Sequence, residues 1–126
     1  MASNYEDTDV YKLAKRLAVA IHRMTLYELP KFEMYEEGSQ IRRSAKSIVA
    51  NFVEGYGRQV YPADFIRHLT YAIASCDETK AHLEMLYETE SLAQERFQVL
   101  YGAYRQLGRK LYNSRQTVIE QSNNKR

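Results

Sequence analysis

The stretch Ser91-Leu-Ala-Gln-Glu-Arg-Phe-Gln-Val-Leu-Tyr-Gly-Ala-Tyr-Arg-Gln-Leu-Gly-Arg-Lys-Leu111 decides the fold. Within it and just beyond, Phe97, Leu100, Tyr104, Leu107, Leu111 and Val118 recur at spacings of 3, 4, 3, 4 and 7. That repeat lays one apolar stripe along a helix, of the kind that packs against neighbouring helices. Ser91 followed three residues later by Gln94 has the pattern of a capping box at the start.

Working outward, three more segments carry the same periodicity. Val10, Leu13, Ala14, Leu17, Ile21 and Met24 form the first stripe, with Asp7, Thr8 or Asp9 able to cap it and Pro30 to stop it. Ile41, Ala45, Ile48 and Phe52 form the second, with Ser39 as the expected cap. Gly55-Tyr-Gly57 offers that helix a left-handed C-cap. Phe65, Leu69, Ala72, Ile73, Cys76, Leu83 and Leu86 form the third, opened by Pro62 at its first position and by Asp64 in its first turn.

The expected helices cover about 8–29, 39–56, 62–89 and 92–119, with a frayed tail over 120–126. Short connections between amphipathic helices are satisfied most simply by an all-α, antiparallel up-down-up-down four-helix bundle. A length of 126 residues suits a single domain, and five Gly with two Pro are too few for an all-β chain with frequent turns.

Composition narrows the function. No apolar run approaches the roughly 18 residues of a membrane span, and the N-terminal residues lack a signal-peptide core. One cysteine, Cys76, falls on an apolar stripe and suits a reducing cytoplasm, where it reads as a core thiol and not a nucleophile. No phosphate-binding glycine loop follows a strand. The acid–His pairs Asp64/His68 and Glu78/His82 are spaced i, i+4, unlike the Glu-x-x-His pairs of di-metal bundles. A metal enzyme built on Glu78, His82 and Glu54 is therefore the weakest alternative, and no cofactor is expected.

Charge is distributed unevenly. The net charge is only +2, yet Arg96, Arg105, Arg109, Lys110 and Arg115 occur between 96 and 115 without any acidic residue. Tyr101, Tyr104 and Tyr112 are interleaved with them, so the last helix suggests phosphate contacts with aromatic stacking. Arg42, Arg43, Lys46 and Arg58 make a second basic cluster, whereas Asp77, Glu78, Glu84, Glu88 and Glu90 make the third helix acidic. Eleven tyrosines exceed what a small core uses, which points equally to self-association.

The segment Ser39-Gln-Ile-Arg-Arg-Ser-Ala-Lys-Ser-Ile-Val-Ala-Asn-Phe-Val-Glu-Gly-Tyr-Gly-Arg58, followed by Phe65-Ile-Arg-His-Leu-x-x-Ala-x-x-Ser75, resembles the signature of the four-helix-bundle family named for the intervening sequence of bacterial 23S ribosomal RNA. The resemblance runs through nearly the whole chain. Val49 departs from it where a proline is expected, so the second helix should lack a kink. Tyr61-Pro62 also departs, where a Ser or Thr cap is commoner.

The resemblance implies a homopentamer of ribosomal-protein-like bundles. It also implies a distant similarity to accessory proteins of diversity-generating retroelements, which bind nucleic acid. The family name reflects gene location within ribosomal RNA genes. Carried over by position, the family-pattern polar residues are Arg42, Arg43, Asn51, Glu54, Arg58 and Arg67, and Glu54 is expected to pair with Arg67.

The resulting expectation is a non-enzymatic cytoplasmic homo-oligomer that binds RNA through Arg42, Arg43, Lys46, Arg58, Arg105, Arg109, Lys110 and Arg115. The alternative is a protein-interaction scaffold with no nucleic-acid contacts.

Overall fold

The structure, a computed structural model, describes residues 4–124. Its four α-helices are α1 (Asp9–Tyr27), α2 (Glu37–Gly57), α3 (Pro62–Glu88) and α4 (Gln94–Asn124). Short 3-10 turns at Tyr5–Asp7 and Lys31–Tyr35 precede α1 and α2.

Among the candidate caps of α1, Thr8 is the one used. Its hydroxyl accepts from the Tyr11 N–H at 3.1 Å and donates to the Tyr5 carbonyl at 2.7 Å. The helix ends at Tyr27, ahead of Pro30.

α2 begins two residues earlier than expected, so Ser39 lies inside its first turn and is not its cap. Long-range contacts decide this entry. The Arg42 guanidinium donates to the Met34 carbonyl and to the Thr25 hydroxyl, each at 2.8 Å, tying the 3-10 turn and α1 to α2. Gly38 meets the turn so closely that a Cβ there would lie 2.5 Å from the Glu33 carbonyl oxygen.

At the other end α2 runs through Gly57, and no glycine among the described residues has a positive φ. The expected left-handed cap is therefore not how α2 stops. Gly55 instead lets α3 approach, since a Cβ on it would lie 2.8 Å from the His68 Cβ and 3.1 Å from Phe65 Cδ1. Pro62 and Asp64 occupy the first turn of α3 as expected.

The turn from α3 to α4 holds the left-handed residue that α2 lacks: Glu90, at φ 66°. The Ser91 N–H donates to the Leu86 carbonyl at 2.8 Å and the Glu90 N–H to the Tyr87 carbonyl at 3.0 Å, the paired bonds of a Schellman motif. Ser91 does not cap α4; its hydroxyl donates to Glu33 Oε2. α4 continues through Asn124, past the expected end near 119, and Lys125 and Arg126 of the expected tail lie outside the described residues.

Each helix touches two neighbours, in the cyclic order α1, α2, α3, α4, and no diagonal pair is in contact among the described residues. Partners run in opposite senses. Ser44 meets Thr79 while Asn51 meets His68, and Cys76 meets Tyr104 while Thr70 meets Arg115. Glu28 meets Arg96, from the end of α1 to the start of α4. This is the expected up-down-up-down bundle.

Its core is the set of apolar stripes. Ile21, Met24, Ile41, Ile48, Leu69, Leu83, Leu107 and Leu111 are fully buried, each such side chain contributing about 1.5–3 kcal/mol by leaving water. Phe97, Val118 and Ile73 pack on the core's edge, half-buried.

Candidate nucleic-acid interface

α2 and α3 share a polar seam beside the core. The hydroxyl oxygens of Ser44 and Thr79 lie 2.8 Å apart, and those of Ser47 and Ser75 3.0 Å apart. Asn51 donates to the Ser47 carbonyl and hydroxyl, and its Oδ1 lies 3.3 Å from His68 Nδ1. Asn51 thus joins two helices.

The expected pair between Glu54 and Arg67 does not form. The two are linked through a chain instead: Glu54 with Arg58 at 3.6 Å, Arg58 with Asp64 at 3.8 Å, and Asp64 with Arg67 at 3.1 Å. The turn between α2 and α3 brings Asp64 within reach of both arginines, so Asp64 and not Glu54 is the acid paired with Arg67. All are substantially exposed, so these pairs stabilise little.

The eight cations expected to bind nucleic acid are not one surface. Arg42 is half-buried and engaged by Thr25 and Met34, and Arg58 is flanked by carboxylates. Arg115 donates to the Thr70 hydroxyl at 3.2 Å and covers the Tyr112 ring at 5.4 Å. Arg43, Lys46, Arg105 and Arg109 are exposed and Lys110 is half-buried; among the described residues none has a carboxylate partner.

Three of these unpaired cations line two separate grooves, Arg105 and Arg109 in one and Lys46 in the other. One lies between α3 and α4, where Arg105, Arg109, Tyr112 and Asn113 of α4 face Asp77 and Lys80 of α3. Asp77 is engaged by Lys80 at 3.3 Å, which leaves both arginines without a partner. Of the three tyrosines on α4, only Tyr112 is exposed, at 49%, with Arg115 over one face of its ring. Tyr104 is fully buried, and Tyr101 is half-buried against Phe97, with ring centroids 5.1 Å apart. The heptad that makes Tyr104 a core position removes it from the surface.

The second groove, about 450 Å³, lies between α1 and α2. Lys46 joins Lys15, His22 and Arg23 around it. The α1 cations were missed by sequence reasoning, although Lys12, Lys15, Arg16 and Arg23 recur at helical spacing opposite the apolar stripe.

The core offers no paired catalytic groups among the described residues. Cys76 is buried, its thiol donating to the Tyr104 carbonyl at 3.3 Å. Burial pushes that thiol up from its ordinary value of 9.0 to about 11, against a lowering influence of Lys80 and with a further rise from Asp77. His82 lies between Glu37 at 2.6 Å and Glu78 at 3.3 Å. Glu54 cannot join them, because it is about 25 Å from Glu37 along α2 at 1.5 Å per residue. No group of three or more His, Cys, Asp or Glu is arranged to hold a metal among the described residues, and no helix there is long and apolar enough to cross a membrane.

Fold and surface together define an up-down-up-down helical bundle whose distinctive chemistry lies in surface grooves. The chain belongs to the 23S rRNA-intervening sequence protein family, whose model matches residues 6–113. It is similar to the crystal structure of a protein of unknown function from the S23 ribosomal protein family of Bacteroides thetaiotaomicron VPI-5482. The two are 27% identical with a TM-score of 0.78, over 85% of this chain and 95% of that one. No curated protein matches.

Proposed function

We propose that the protein is a non-enzymatic homo-oligomer, a pentamer on the family resemblance, that binds RNA through the outer face of α4. Arg105, Arg109 and Lys110 contact phosphates and Tyr112 offers a ring to an unstacked base. The observation that carries this reading is that Arg105 and Arg109, without carboxylate partners, lie in one groove with the exposed Tyr112. A cation already held by a carboxylate has less to gain from a phosphate, so Arg58 contributes less. The family name records gene location, so the weight rests on this surface.

Filter binding of single-stranded RNA at two salt concentrations tests it. Each lost phosphate contact lowers the salt slope by about 0.7 for single strands, so an Arg105/Arg109/Lys110→Glu variant should bind weakly and with a flattened slope. Unchanged affinity in that variant overturns the reading. An interaction scaffold without RNA contacts is the second reading, supported by the apolar floor of the groove between α1 and α2.

A further inference from the structure

The groove between α1 and α2 has a composition that phosphates do not explain. Its floor includes Ala18, Val19, Val49 and Ala50, while the cations stand at its rim. Val19 is 45% exposed. Such a surface fits an occupant that carries apolar side chains flanked by carboxylates.

The outward face of α3 carries that pattern. Tyr71, Ala74, Glu78, Ala81 and Met85 lie at spacings of 3, 4, 3 and 4, which aligns them along one stripe turned away from the core. Tyr71 and Met85 are 49% and 50% exposed. Asp77, Glu84 and Glu88 border the stripe, and its one lysine, Lys80, is held by Asp77. Glu84 and Glu88 have no cationic partner among the described residues. Because α1 and α3 are diagonal in the bundle, the stripe and the groove face away from each other and cannot meet within one chain.

We propose that α3 of one copy docks in the groove between α1 and α2 of a second copy, its Ala74–Ala81–Met85 stripe on the apolar floor and its carboxylates against Lys15, Arg23 and Lys46. The contact joins two different surfaces, so it is head-to-tail and builds a closed ring or an open filament, not a two-fold dimer. This inference rests on the homo-oligomer reading above and gives the cations two separate roles. Those of α1 and α2 hold the assembly, and those of α4 stay free for RNA.

Charge reversal followed by light scattering on gel filtration tests the contact. Wild-type protein should elute larger than a single chain. The pair Lys15→Glu/Lys46→Glu and the pair Glu84→Lys/Glu88→Lys should each weaken association by at least about ten-fold, since like charges then oppose across the contact. All four substitutions together in one chain should restore it, and circular dichroism on every variant confirms folding. A monomeric wild type overturns both this contact and the homo-oligomer reading. An oligomer that neither pair disturbs, or a folded fourfold variant that stays monomeric, overturns the contact and leaves oligomerisation through another surface standing.

Discussion

The Ser91 hydroxyl donates to the Glu33 carboxylate across 2.6 Å, and both residues are buried. Fifty-eight positions separate them, so this bond closes the lead-in of α2 onto the turn between α3 and α4. Ser91→Ala should leave the carboxylate short of a donor in a dry site and cost about 1.5–3 kcal/mol. Glu33→Gln, which still presents an acceptor, should cost less. Urea denaturation of both variants checks the order, and an equal loss would show that the bond's whole contribution depends on the carboxylate's charge.

Three glycines in helices should respond differently to alanine. Gly55→Ala sets a Cβ 2.8 Å from the His68 Cβ, which should cost about 1–3 kcal/mol through overpacking. Gly102 and Gly57 have nothing within 4 Å of a built Cβ. Gly102→Ala, in the middle of α4, should therefore stabilise by up to about 1 kcal/mol, and Gly57→Ala, at a helix end, by less. Thermal melts of the three variants read the sign directly.

Glu90 holds φ 66° in the α3–α4 turn, a conformation that favours glycine. Glu90→Gly should raise stability by about 1 kcal/mol by relieving the Cβ clash. Glu90→Val should lower it, since a branched side chain tolerates that region worst. Chemical denaturation of the two variants against wild type provides the comparison.

Cys76 links folding to alkaline pH. Below its ordinary value of 9.0 the thiol holds its proton in folded and unfolded chains alike; between 9.0 and about 11 only the folded chain keeps it. The unfolded state then binds fewer protons, so raising the pH favours unfolding. The stability is intact below pH 9 and falls by about 2 kcal/mol as the pH reaches 11. Tyr104, raised in the same direction by burial, adds to the loss above its ordinary value of 10.0. Denaturation curves for Cys76→Ala and wild type should converge as the pH rises through this window. At pH 8 a disulfide reagent should titrate the wild-type thiol only after unfolding.

The core was legible because helical periodicity records burial directly: every residue of the first two stripes, from Val10 to Met24 and from Ile41 to Phe52, is buried. Local end signals were less informative. Thr8 and Pro62 act as their types suggest, but Ser39 and Ser91 do not, because Arg42 and Glu33 impose contacts across 8 to 58 positions. The candidate interface was legible only as composition. Which cations remain unpaired depends on Asp64, Asp77, Thr25 and Thr70, and their positions relative to the arginines are set by the packing of helices.

The hydroxyl and amide pairs between α2 and α3 bear on a different matter, the uniqueness of the bundle. Apolar stripes repeat every turn and would accept a slide of about 5.4 Å with modest loss. Such a slide would separate Ser44 from Thr79, Ser47 from Ser75 and Asn51 from His68 at once, stranding polar groups in a half-dry cleft. Hydrocarbon drives the helices together; the hydroxyls act as a vernier that admits one alignment.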